Sequence, residues 1–245
     1  MTTSSGAEAQ PVTAENAAVQ AGVRLWIKKT AFALLFAGLV LFVSRGRWNW
    51  AEGWIFLALF AVLQTITGRL LSQRSPDLLA ERSRLQAGTK PWDRTLVALQ
   101  AMVFPLVGWV VSGLDLRFGW GPPVRVEIQV GALMAMLLGY AWTAWAMLVN
   151  RFFSATVRIQ TDRGHSVVSS GPYRFVRHPG YLGAILFQLT TPLFLGSWWG
   201  ILPAVLSLPV HVTRTALEDR TLRRELVGYS AYSQTVRFRL LPGIW

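Results

Sequence analysis

The chain has 245 residues, 52% of them hydrophobic, with a mean hydropathy of +0.37, which excludes an ordinary soluble domain and suits a single membrane-embedded one. Its 24 Lys and Arg face 12 Asp and Glu for a net charge of +12, but the basic residues sit between apolar runs with no interleaved aromatic platform, so no nucleic-acid partner is expected. The absence of cysteine excludes disulfides, thiolate metal sites and a Cys nucleophile, and no metal is expected.

Residues 1–22 are polar and Ala-rich and read as a disordered tail, not a cleaved signal peptide, which leaves insertion to the first membrane helix. The apolar runs Trp26 to Ser44 and Gly53 to Leu71 each approach the ~20 residues a helix needs to cross a bilayer, and they form a hairpin through Arg45 to Asn49. Between Ser72 and Arg94 the chain is polar and interrupted by Pro76 and Pro91. It is predicted to be a cytoplasmic connection with a structural role and a short surface helix over Asp77 to Gln86.

A third span is predicted over Thr95 to Leu114 and a fourth over Ile128 to Val149, parted by a turn rich in Gly and Pro (Gly119, Gly121, Pro122, Pro123). The last apolar region, Tyr181 to His211, is too long for one span and is broken by Pro192 and by Gly196 to Gly200, which predicts a helical hairpin. The resulting fold class is all-α. It is a polytopic integral membrane protein of five to six transmembrane segments, with a membrane scaffold over 23–149 and a distinct C-terminal region over 150–245.

With the N-terminus cytoplasmic, every Lys and Arg except Arg45, Arg47, Arg117 and Arg125 falls at a cytoplasmic connection or end, as the positive-inside rule requires. The same count puts the region Asn150 to Gly180 and the tail after Val212 on one side, where they can meet.

Those two regions hold the chemistry. In HSVVSSGPYRFVRHPGYLG a Gly-Pro turn precedes Tyr173, and Arg177, His178 and Pro179 stand just before a helix opening at Tyr181. Pro179 suits a helix start. The exposed N–H groups and partial positive charge of such an end can hold a carboxylate or another anion. The bland alternative is that Arg174, Arg177 and His178 only anchor the helix end to lipid headgroups. His211, at the end of the hairpin, reads as a capping or interfacial residue.

After the hairpin, Glu218 and Asp219 emerge among Arg214, Arg220, Arg223 and Arg224. Arg223, Arg224 and Glu225 suit a solvated helix. Glu218 is close enough to the boundary to point into a headgroup-level cavity, where an acid can bind an ammonium group or ribose hydroxyls.

The segment RHPGYLG resembles the RHPxYxG signature of the isoprenylcysteine carboxyl methyltransferases and related phospholipid methyltransferases. HSVVSSGPY is similar to that family's H-x-L-V-x-S-G-x-Y, Glu218 and Asp219 stand where it has an acidic pair, and GYSAYSQTVRFRLLPGIW resembles its closing Y-x-x-Y and basic-Pro segment. The likeness covers Asn150 to Trp245. Two departures are a Glu-Asp pair where Glu-Glu is usual, and Leu226 to Tyr229 in place of a Phe-Gly before the tyrosines.

The resemblance implies a pocket for S-adenosyl-L-methionine lined by His165, Tyr173, Arg177, His178, Pro179, Tyr181, Gly183, Glu218 and Asp219. Glu218 would hold the amine or ribose, Gly183 would allow close approach, and Tyr173 or Tyr181 would lie near the sulfonium. If the acceptor is a carboxylate, Arg237, Arg239 or Arg177 would position it; an amine or thiol would need Glu218 or His178 as base. The implied acceptor is a lipophilic or prenylated molecule arriving through membrane lipids, and a bacterial inner membrane is the expected location. Two other readings compete: an NADPH-dependent membrane reductase sharing RHPxY, and a non-catalytic membrane protein whose basic face docks a partner.

Overall fold

The computed structural model describes residues 10–245, with side chains from Asn16 onward, and these residues form helices without strands. Helix α1 (Gln10–Arg45), α2 (Ala51–Arg74), α4 (Pro91–Phe118) and α5 (Val126–Val149) are each long and apolar enough to cross a membrane. Between them lies the short α3 (Pro76–Arg82). The closing region is the expected hairpin: α6 (Pro179–Phe194), a turn at Gly196 with φ +92°, then α7 (Ile201–Leu206) and α8 (Leu208–Glu225), followed by α9 (Tyr229–Thr235).

The protein is an integral membrane protein, and its outer surface shows the physical signature. Phe32, Leu35, Phe36, Leu39 and Val43 on α1, and Val130, Met134 and Leu138 on α5, recur at helical spacing and are exposed, a pattern that only a lipid environment makes favourable. Trp48, Trp54, Phe118, Trp120, Trp198 and Trp199 gather at the ends of α1, α2, α4 and α6, as interfacial aromatic rings do. There Asp115 accepts hydrogen bonds from Gly121 N (2.9 Å) and Ser197 Oγ (2.6 Å) and ties the α4 turn to the hairpin turn.

Two expectations change. Helix α1 begins at Gln10, so residues 10–22 of the supposed tail are helical, while residues 1–9 lie outside the described residues. The reason is contact: Val23 and Trp26 pack against Leu71, Leu78 and Leu79, and a Cβ on Gly22 would lie 2.5 Å from Ala80 Cβ. By the same contact α3 is no surface helix, because Leu78, Leu79 and Glu81 are buried.

Helices α5 and α6 pack closely along their length. Their approach is set by paired glycines: a Cβ on Gly139 would lie 2.7 Å from Gly183 O, and one on Gly183 would lie 2.5 Å from Gly139 O and 2.4 Å from Thr143 Oγ1. Small residues let two helix backbones come this near, a device membrane bundles favour. Gly183 is therefore spent on helix packing, and does not face the pocket assigned to it from sequence.

Candidate active site

A cavity of about 420 Å³ lies between α4, α5, α6 and α8 and the loop 150–178, within the range of small-molecule sites. One face of α8 supplies a stripe, with His211, Arg214, Glu218 and Leu222 all lining it at helical spacing. His165 and Tyr173 of the loop and Tyr229 of α9 border one end; Phe104, Trp109, Phe187 and Pro192 border the other, deep in the bundle. Helix α4 carries a π-helical stretch over Leu99–Val103 at this wall, where Gln100 and Ala101 line the cavity. Such a bulge shifts side chains off the regular register and is frequent beside functional sites.

The loop 150–163 has little regular structure, so its backbone is held by side chains from distant elements. Arg158 Nε and Nη2 bind Glu81 at 2.8 and 2.9 Å, Val157 N donates to Asp93 at 2.7 Å, and Arg214 Nε binds Asp93 at 2.6 Å. The connection read as structural is thus half of the latch that shapes the site.

A second latch closes the loop end. Asp219, 1% exposed, accepts from Arg177 Nε (2.7 Å) and Nη2 (3.3 Å), Tyr229 Oη (3.0 Å) and Arg239 Nε (3.1 Å). Arg177 also donates Nη1 to Val236 O and Arg237 O, both at 2.7 Å, while Arg177 N and His178 N donate to Phe238 O and Arg239 O at 2.9 Å. The closing segment is thereby stitched across the RHP turn. Tyr232 Oη adds a bond to Tyr173 O at 2.7 Å.

This geometry sorts the residues picked from sequence. His165, Tyr173, Arg177, His178, Pro179, Tyr181 and Glu218 border the cavity, whereas Gly183, Asp219, Arg237 and Arg239 do not. Arg177 borders it with most of its donors committed to Asp219 and to carbonyls. Arg239 is held by Asp219 and lies 4.8 Å from the Trp245 ring centroid, and Arg237 is exposed. None of the three arginines chosen to position a carboxylate is free to do so from inside the cavity. The helix start also offers less than expected, because Tyr181 N and Leu182 N both turn to His178 O.

Within the acidic pair the roles divide. Tyr181 Oη donates to Glu218 Oε2, and Glu218 Oε1 has no protein partner among the described residues. His165 accepts a bond from Gln160 N at Nδ1 (3.3 Å), which puts the ring proton on Nε2 in the neutral tautomer, and the ring lies 4.7 Å from that of Phe152. Residues missed from sequence are Arg82, Gln100, Asn150, Arg214 and Tyr229. Asn150 Nδ2 donates to Tyr173 Oη at 3.1 Å. Only the pairing of Tyr229 with the acidic residues had a sequence signal, its place in Y-x-x-Y.

Burial, with the charges of Arg163 and Arg158, lowers the His165 pKa from 6.5 to about 4. In the unfolded chain the ring takes up its proton near 6.5, so between pH 6.5 and about 4 the unfolded state binds the extra proton and the fold loses stability as pH falls. Melting temperatures of the wild type should decline across that window, and those of His165→Gln should decline less. Parallel profiles would remove His165 as the cause.

Residues 132–224 match the model of the isoprenylcysteine carboxyl methyltransferase (ICMT) family. The protein-S-isoprenylcysteine O-methyltransferase of Schizosaccharomyces pombe is 34% identical over 71 residues, 29% of this chain and 30% of that protein. A probable protein-S-isoprenylcysteine O-methyltransferase of Oryza sativa subsp. indica is 24% identical over 141 residues, 56% of this chain and 65% of that one. The chain thus matches less than two thirds of the length of these relatives. The structure of the eukaryotic intramembrane Ras methyltransferase ICMT, solved without a monobody, superposes with a TM-score of 0.54 at 18% identity, covering 98% of this chain and 88% of that one. These relatives are eukaryotic and lend no support to a bacterial membrane. The matched stretch holds most of α5, the site loop, the hairpin and the cavity-lining stripe of α8, and over it the chain is similar to the isoprenylcysteine carboxyl methyltransferase family.

Proposed function

We propose that the protein is an S-adenosylmethionine-dependent methyltransferase that O-methylates the carboxylate of a lipophilic, prenylcysteine-like acceptor, with the site and both chain ends on the cytoplasmic side. The observation that carries this is a cavity with two chemically different ends, polar at the loop and apolar within the bundle. The residues at the polar end fit the cofactor. Glu218 Oε1 is an unpartnered anion for an ammonium or ribose hydroxyl, His165 Nε2 is a neutral donor, and the Tyr173 and Tyr181 rings can face a sulfonium.

When bound, S-adenosylmethionine supplies an electrophilic methyl group: the acceptor carboxylate oxygen forms the new O–C bond, the S–C bond breaks, and its electron pair stays on sulfur. No proton is released when the acceptor is ionised, so the chain need not furnish a base. Its residues align the two reactants and keep water out, which is how binding geometry lowers such a barrier. The apolar end suits a hydrocarbon tail, and Glu218 facing the cavity would repel the phosphates of a dinucleotide, which counts against a reductase.

The test is methylation of N-acetyl-S-farnesylcysteine by the purified full-length chain with methyl-labelled S-adenosylmethionine. The expected product is an alkali-labile methyl ester. Failure to bind S-adenosylhomocysteine, together with no labelled ester, would overturn the proposal.

A further inference from the structure

Four arginines line the cavity, and three are neutralised by carboxylates of the protein itself. Arg158 binds Glu81 and Asp162, Arg177 binds Asp219, and Arg214 binds Asp93. Arg82 differs. Its side chain donates Nη1 to Phe153 O at 3.0 Å and lies 5.4 Å from the Phe153 ring centroid, and among the described residues it forms no ion pair. The acid next to it in sequence, Glu81, is consumed by Arg158.

A cation partly withdrawn from water without a carboxylate partner is costly, and an anionic ligand entering the cavity would complete it. We infer that Arg82 receives the carboxylate of the lipophilic acceptor, presenting it to the methyl donor while the tail occupies the apolar end. This rests on the methyl-transfer reading and deepens it, since it makes a carboxylate the group the site selects.

Three further observations agree. Burial, with the charge of Arg214 nearby, lowers the Arg82 pKa only to about 10, so the side chain remains a cation at neutral pH. Its partner Phe153 O belongs to the loop fastened by the Asp93 latch, so the guanidinium is aimed and not free-swinging. Its charge also acts on Tyr140 and Arg214, which share the cavity wall. Such a site favours turnover: methylation converts the anion into a neutral ester, the charge pair with Arg82 is lost, and the product is held less tightly than the substrate.

The chemistry recognised is a carboxylate, and the cofactor carries one too. The acceptor is the better candidate because Arg82 stands on α3 and its charge acts on Tyr140 of α5. Glu218 and His165, on α8 and the loop, form the cofactor's end.

The experiment uses the full-length protein with Arg82→Gln and Arg82→Lys, reading acceptor KM and kcat together with calorimetric affinity for S-adenosylhomocysteine. Loss of a charge-assisted bond predicts an acceptor KM about tenfold to a hundredfold higher in the Gln variant, with partial recovery in the Lys variant. Affinity for S-adenosylhomocysteine should be unchanged, which also shows that the variants fold. Wild type should prefer a farnesylcysteine carboxylate over its carboxamide, and Arg82→Gln should bind the two alike. Unchanged acceptor KM and selectivity in Arg82→Gln would overturn the inference. Weakened S-adenosylhomocysteine binding with a normal acceptor KM would also overturn it and assign Arg82 to the cofactor's carboxylate. A wild type that binds the carboxylate selectively but transfers no methyl group would refute the catalytic reading while supporting Arg82.

Discussion

Replacing Asp219 by alanine is expected to lower stability by about 3–5 kcal/mol and to abolish cofactor binding, because the change strands a buried charge. Arg177, with 2% of its side chain exposed, would face an apolar gap where it now holds a bidentate partner, and Tyr229 Oη and Arg239 Nε would each lose an acceptor. Burial alone would raise the Asp219 pKa, but hydrogen bonds from His178 and Arg177 outweigh it and hold the carboxyl well below the usual range. The linkage then runs one way. Asp219 contributes stability above the ordinary carboxylate pKa of 3.8, and this is lost only as pH falls below it toward the depressed folded value. Thermal melting of the solubilised protein at neutral pH reads the effect directly. An Asp219→Ala melt equal to wild type would show that the clamp does not hold the closing segment, and Asp219→Asn should fall between because it keeps an acceptor but loses the charge.

Much of this architecture was legible because lipid imposes simple rules. Apolar runs near the spanning length gave the four long helices, and Pro192 with Gly196 marked the hairpin. The polar rim of the cavity was legible as well, since polar residues clustered beside membrane segments need a reason to be there. What sequence could not give is the direction a side chain faces and the partner that consumes it. Arg177 stands at the centre of the signature, yet its donors close a loop; Gly183 is required, but by Thr143 and Gly139 and not by a ligand. Arg82 was invisible for the opposite reason. It sits in a connection with no motif, and only the tertiary approach of α3 to Phe153, 71 positions later, makes it part of the cavity.

The α1 boundary shows the same limit. Polar, Ala-rich composition before Trp26 is compatible with a helix or a tail, and contact decides between them. Gly22 against Ala80, and Val23 and Trp26 against α3, supply burial that a local reading cannot foresee.

Glu218→Gln should separate binding from folding at the neighbouring position. Adjacent residues on a helix point about 100° apart, so Glu218 turns toward the cavity while Asp219 turns into the clamp. A glutamine keeps an oxygen that can accept from Tyr181 Oη and preserves the side chain's volume, so melting should stay close to wild type. The negative charge facing the cavity is lost. Charge-assisted bonds contribute about 1.5–3 kcal/mol, which predicts affinity for S-adenosylhomocysteine roughly tenfold to a hundredfold weaker and methyl transfer reduced in proportion at limiting cofactor. The paired measurement is calorimetry and melting on both variants side by side. If Glu218→Gln melts early and binds normally, Glu218 belongs to the frame and the cofactor's cationic group must be held by another acceptor. If it melts normally and binds weakly, two consecutive acids serve two ends of one site, one closing it and the other filling it with charge.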